Sequence, residues 1–136
     1  MRLRTISSEL EDKFVNAQSD PKQLFERVFW TCFEQFDEAI KTAILEHPDL
    51  STLAKGELPH LEGRHDIIDS FDNSYFDAQD EGEMTKADEF FTLARISAAI
   101  VTNSEAKNSE DYAEAAYEVI ILCKNPESFA LKLLEL

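Results

Sequence analysis

Apolar and polar residues follow one another at helical spacing along most of the 136-residue chain. The longest such stretch lies near 21–46, where apolar side chains recur every three or four residues for about six turns. Asp20 and Pro21 have the order typical of a helix start, since Asp suits the capping position and proline the first helical position. Pro48 ends the stretch, because proline disfavours the helical conformation in the residue before it. We therefore predict one long central helix near 21–46.

Shorter patterns of the same kind predict further helices on both sides of this central helix. Ser8 and Glu11 have the spacing of a capping box, and Thr85 and either Asn108 or Ser109 precede two later apolar patterns as capping residues. The predicted helical segments are 9–18, 49–55, 64–76, 85–102, 109–123 and 126–134, with an acidic turn at 77–83. No alternating run indicates a strand. The sequence thus predicts an all-α fold, a compact single-domain bundle of about five to seven helices over 1–136.

Composition and net charge limit the kinds of molecule that the protein can bind. The chain has 28 acidic and 13 basic residues, a net charge of −15, and 43% hydrophobic residues, which is a globular proportion. Such a charge repels nucleic acids and anionic membranes, so we expect neither as a direct partner. The longest purely apolar run, 119–123, is far shorter than a membrane helix requires, and no secretory signal opens the sequence. We expect a soluble, cytoplasmic protein whose Cys32 and Cys123 are buried, reduced thiols.

The negative charge is concentrated in one segment. Residues 62–91 hold ten carboxylates against Arg64 and Lys86, a net charge of −8. One interpretation is a solvated surface that keeps the protein soluble. The other is a recognition surface for a basic partner. In the second case the partner-binding residues are Asp66, Asp69, Asp72, Asp77, Asp80, Glu81, Glu83 and Asp88.

Metal-binding patterns are present only in fragments. Glu57-x-x-His60 and Glu62-x-x-His65 have the spacing of a di-iron bundle motif, but Pro59 interrupts the helix that this motif needs. Residues 77–88 align in part with a calcium-binding loop, yet the third and fifth positions lack the short oxygen-bearing side chains that such loops use. We predict no metal ligand and no cofactor.

Catalytic patterns are weaker still. The sequence has no glycine-rich phosphate loop and no Gly-x-Ser-x-Gly motif. Cys32 and His47 would lie about 22 Å apart along the predicted central helix, too far for a nucleophile and its base. We therefore predict no catalytic residue and expect a protein that is not an enzyme.

In size, acidity and lack of a catalytic motif, the chain resembles the immunity proteins that block bacterial toxins, many of which are basic nucleases. The resemblance covers composition and no family motif. It implies that the protein binds and neutralises a basic protein, through the acidic residues named above. Two alternatives stay open: a helical metalloprotein or enzyme that uses His60, His65 and nearby carboxylates, and a regulatory helical module that forms a homodimer.

Overall fold

A computed structural model describes residues 2–16 and 20–136, and within these ranges it contains helices and no strand. The seven α-helices are α1 (Ser8–Val15), α2 (Pro21–Glu34), α3 (Glu38–Glu46), α4 (His65–Asp80), α5 (Met84–Glu105), α6 (Ser109–Ile120) and α7 (Pro126–Leu133). Two 3-10 helices cover Arg2–Thr5 and Pro48–Lys55. The all-α prediction is confirmed, and the two 3-10 helices bring the count above the five to seven expected. The end of the predicted first helix, at 17–18, lies outside the described residues.

The prediction of one continuous helix near 21–46 is wrong. α2 ends at Glu34, and the next two amides, of Gln35 and Phe36, bond to carbonyls three residues back at 3.0 and 3.1 Å. Asp37 then takes an extended conformation and caps α3. An unbroken helix over this stretch would be about 39 Å long, at 1.5 Å per residue. The break allows α3 to pack against the second 3-10 helix and α5 instead.

Side-chain caps mark the starts of three α-helices, α1, α2 and α6. Asp20 accepts a hydrogen bond from the Lys22 amide at 2.9 Å, as predicted. Asn108 likewise accepts from a backbone amide in the first turn of α6. At α1 the cap is Ser7 rather than the predicted Ser8, and it accepts from the Leu10 amide at 3.1 Å.

α4 is one turn longer than predicted. Residues 77–80, expected in an acidic turn, are helical, and the turn is the three-residue segment 81–83. Gly82 supplies the positive φ of +74° that the turn requires. α5 begins at Met84 without a side-chain cap, so Thr85 does not have the predicted capping role. Because 77–80 belong to α4, the segment 77–88 does not have the shape of a calcium-binding loop.

α5 is the centre of the bundle, and α4 and α6 both pack directly against it. Its buried residues are mostly small or medium in size: Ala87, Leu93, Ala94, Ile96, Ser97, Ala98, Ala99, Ile100 and Val101. Facing alanines on α6, at 113, 115 and 116, are also buried. Small side chains let helix axes approach closely, and α5 and α6 accordingly pack directly against each other. No helix in the described part of the chain has the length and apolarity needed to cross a membrane.

Aromatic rings along α2 fill one side of the core. Phe29 is fully buried and has three aromatic neighbours, with ring centroids 6.1 Å from Phe25, 5.2 Å from Trp30 and 6.2 Å from Phe33. Trp30 is half-buried at the edge of this cluster. If the Phe29 ring were removed, its neighbours could not fill the space without losing their own contacts.

Truncation of Phe29 should be costly, and truncation of the 57% exposed Phe76 should not. We expect Phe29→Ala to lower the free energy of unfolding by about 3–5 kcal/mol, because it leaves a cavity in the aromatic cluster. Phe76→Ala, the matched control, should change it by less than about 0.5 kcal/mol. Urea unfolding followed by circular dichroism measures both, and equal effects would contradict this description of the core.

Candidate functional site

The eight carboxylates predicted to bind a partner all lie on the hairpin that α4 and α5 form. Five are on α4, two are in the turn and one is on the first turns of α5. Asp72 is partly buried and the other seven are exposed. The structure thus brings the predicted residues together on one supersecondary unit. They are spread over more than one face of it, as the following contacts show.

Three of these carboxylates have basic partners. Asp66 accepts from Arg64 at 3.0 Å, and this hydrogen bond is the main reason that the pKa of Asp66 is lowered. The side chains of Asp72 and Arg95 approach to 3.7 Å. Glu83 is 3.4 Å from the Lys86 ammonium one turn away. The negative charges of these three residues are therefore already offset by basic side chains of the protein itself.

The other five carboxylates are exposed and have no basic group within 4 Å in the described part of the chain. They are Asp69, Asp77, Asp80, Glu81 and Asp88. Because exposed like charges at this spacing repel each other, the hairpin has a local excess of negative charge that only solvent ions or a partner can offset.

A shallow groove follows one side of the line where α4 and α5 meet. It has a volume of about 340 Å³, and its apolar lining comes from Ala78 and Phe90. The polar lining includes Asp77, Glu81 and Glu89, and also the basic Lys86, which is paired with Glu83. An apolar lining with carboxylates around it suits a lysine or arginine side chain, which has an aliphatic stem and a charged end.

An ion-pair network ties the inner side of the hairpin to the rest of the fold. The Glu118 carboxylate is almost fully buried and accepts from Arg2 at 2.5 Å and from Arg95 at 3.1 Å. Arg95 in turn reaches Asp72, and the Arg2 guanidinium lies 4.5 Å from the centre of the Tyr117 ring. The network joins the first 3-10 helix, α4, α5 and α6. Asp72 therefore has a structural role, which sequence reasoning did not detect.

The histidines at the other end of the hairpin do not form a shared site. His60 lies 3.3 Å from Glu62, and His65 lies 3.1 Å from Glu105 rather than pairing with Asp69 on its own helix. Within 2–16 and 20–136, no three His, Cys, Asp or Glu side chains are grouped as metal ligands.

The carboxylate of Glu105 and the hydroxyl of Ser104 hold the loop before α4 against the end of α5. Glu105 accepts from the Gly63 amide at 2.8 Å, and Ser104 accepts from the Leu61 amide at 2.9 Å. The Gly63 hydrogen bond is the main reason that the pKa of Glu105 is lowered, and His65 adds to the effect.

Exposed apolar side chains on the same hairpin were missed from the sequence. Phe76 is 57% exposed, Met84 56% and Phe91 42%. Both phenylalanines lie within predicted helical segments, Phe76 in 64–76 and Phe91 in 85–102. The available signal was the register: Phe76 lies outside the three- and four-residue spacing that connects the buried Ile67, Phe71 and Ala78.

Comparisons with known proteins assign no function to this site. No family model matches the chain, and neither a curated protein nor a solved structure shows significant similarity to it.

Neutralising Glu118 should destabilise the protein. In Glu118→Gln, Arg95 loses the nearer of its two charged partners, at 3.1 Å, and among the described residues keeps only Asp72, at 3.7 Å. We expect a loss of about 2 kcal/mol in the free energy of unfolding. Glu114→Gln is the matched control, because Glu114 accepts from the exposed guanidinium and the backbone amide of the same Arg2, at 3.0 and 2.9 Å, and has no second arginine partner in the described residues. Its effect should be below about 1 kcal/mol. Denaturant unfolding of both variants tests the network, and an equal loss in the two would contradict it.

The lowered pKa of Glu105 makes its contribution to stability dependent on pH. A carboxylate whose folded pKa lies below its ordinary value of 4.5 stabilises the fold above that value. The contribution disappears as pH falls through the folded pKa. We therefore expect Glu105→Gln to be less stable than the wild type at neutral pH, and the difference to vanish in acid.

Urea unfolding across the acid range measures this effect. Glu46→Gln, at an exposed carboxylate near the end of α3, provides the control. A difference between Glu105→Gln and the wild type that persists in strong acid would show that the charge of Glu105 is not its source.

Proposed function

We propose that this protein is an acidic interaction module that binds and neutralises a basic protein partner through the α4–α5 hairpin. The observation that carries the proposal is the set of five exposed carboxylates without a basic neighbour in the described residues: Asp69, Asp77, Asp80, Glu81 and Asp88. Mutual repulsion among them costs the free protein stability, and a cationic partner relieves it. Their field also accelerates encounter with such a partner.

Within this proposal the partner is a bacterial toxin such as a basic nuclease, and the chain acts as its immunity protein. An acidic surface competes for the same cationic groups with which a nuclease contacts phosphate. Inhibition by surface coverage requires no catalytic residue and no cofactor. A cytoplasmic location belongs to the proposal.

No specific contact favours the alternative of a metalloprotein. In the described residues, His60 pairs with the exposed Glu62 and His65 with the half-buried Glu105, so the two histidines share no carboxylate. We therefore propose the binding function alone.

Charge reversal on the hairpin should slow association with the partner. The triple variant Asp69→Lys, Asp80→Lys and Asp88→Lys changes three exposed carboxylates that have no basic neighbour in the described residues. We expect its association rate constant to fall about tenfold or more at low salt, and to depend less on ionic strength, because the steering field is lost.

The partner is first captured from native host extract on immobilised wild-type protein, and its association rate constant is then measured with purified proteins. The matched control reverses Glu34, Glu46 and Glu57, which are exposed on other elements and give the same change in net charge. This control should retain the wild-type rate constant within about twofold. The proposal fails if no basic protein is captured, or if the two triple variants slow association equally.

A further inference from the structure

Exposed apolar side chains lie on both helices of the α4–α5 hairpin. Of the five large apolar side chains that are exposed in the described residues, three lie here, namely Phe76, Met84 and Phe91. The ring of Tyr75 links two of them, with centroids 5.3 Å from Phe76 and 5.7 Å from Phe91. Met84 lies two turns before Phe91 on the same side of α5. We refer to Tyr75, Phe76, Met84 and Phe91 as the aromatic patch.

Packing within the protein does not account for this patch. The side of α4 that faces the core uses Ile67, Phe71 and Ala78, and α5 is buried through other residues. Exposed aromatic and methionine side chains that adjoin one another are typical of surfaces that contact another molecule. Such residues supply most of the binding energy in interfaces when a partner removes them from water.

Carboxylates lie beside each apolar member of the patch. On α4, Asp80 is one turn after Phe76, and Asp69 is two turns before it. On α5, Asp88 lies one turn after Met84 and one turn before Phe91. The surface thus has apolar side chains at its centre and negative charges at its margin.

The acidic margin of the aromatic patch favours one kind of binding partner over the others. A second copy of the chain would bring an identical set of carboxylates against these, which like-charge repulsion opposes. An anionic membrane surface is opposed for the same reason. A segment with apolar side chains between lysines or arginines matches both the centre and the margin of the patch.

We propose that the aromatic patch is the anchoring site for an amphipathic basic segment of the partner, one that inserts apolar side chains between Phe76, Met84 and Phe91 and places lysine or arginine beside the surrounding carboxylates. The inference rests on the proposed function and names the chemistry of the partner. The carboxylates then determine the rate of encounter. The patch determines the lifetime of the complex, because apolar anchors that become fully buried act mainly on dissociation.

Two synthetic peptides of equal length and charge test this inference. Both are helical sequences of about 18 residues, five turns, rich in lysine and arginine. One carries leucine and tryptophan along one face, and the other carries glutamine and serine at those positions. Fluorescence anisotropy gives their affinities for the full-length protein. We expect the amphipathic peptide to bind about tenfold more tightly or better, the discrimination expected of one or two buried anchors.

Variants assign the effect to the patch. Phe76→Ala combined with Met84→Ala should reduce the preference for the amphipathic peptide to less than about twofold, while the polar basic peptide binds as it does to the wild type. The control is Leu131→Ala, which removes a 66% exposed apolar side chain on α7 and should leave the preference unchanged. The charge-reversed hairpin should bind both peptides more weakly.

Each other result overturns the inference in a distinct way. Equal binding of the two peptides to the wild type would leave an acidic surface without an anchor, and the proposed function would stand. Preference that survives in the Phe76 and Met84 variant would place the apolar contact elsewhere. Dimerisation of the free protein, detected by sedimentation and abolished by the same substitutions, would assign the patch to a second copy. If the proposed function itself is wrong, the result is different: charge reversal on the hairpin then leaves the affinity for both peptides unchanged.

Discussion

The close approach of α4 and α6 to the two sides of α5 is the constraint on which the rest of the fold depends. α5 can be buried on both sides because its central residues are small, with Ala94, Ser97, Ala98 and Ala99 all buried. A larger side chain at any of these positions would push one neighbour outward. With α5 in place, α2 covers α6 with its aromatic cluster, and α4 remains at the outside of the bundle. The position of α4 is what makes its acidic and aromatic side chains accessible.

The network around Glu118 shows how charge is used differently inside and outside the bundle. Asp72 and Glu118 are held by arginines and contribute to the packing of α4, α5 and α6. The five exposed carboxylates on the hairpin have no such support in the described residues. In the sequence, nothing distinguishes the buried and paired carboxylates from the exposed ones. Only their separation in space distinguishes those that stabilise the fold from those that are available to a partner.

Local signals accounted for the parts of the structure that depend on neighbouring residues. The cap at Asp20, the turn at Gly56 and the cap at Asn108 were all predictable, because each needs only a few adjacent residues. The break at 35–37 was not, since apolar spacing continues across it and the advantage of the break comes from the tertiary packing of α3. The extension of α4 to Asp80 was missed because an acidic run resembles a turn. The pairing of Arg2 with Glu118, 116 positions apart, has no local signal at all.

The hairpin is fastened at both ends. At one end the three-residue turn with Gly82 joins α4 directly to α5, and at the other Ser104 and Glu105 hold the preceding loop by its backbone amides. The surface between them is therefore already in one conformation before anything binds. Association loses less conformational entropy when the receptor side is ordered in advance, so most of the ordering cost falls on the incoming segment. A disordered basic segment could then fold on this hairpin as on a template, and its sequence could vary widely as long as the spacing of its apolar and basic residues is kept.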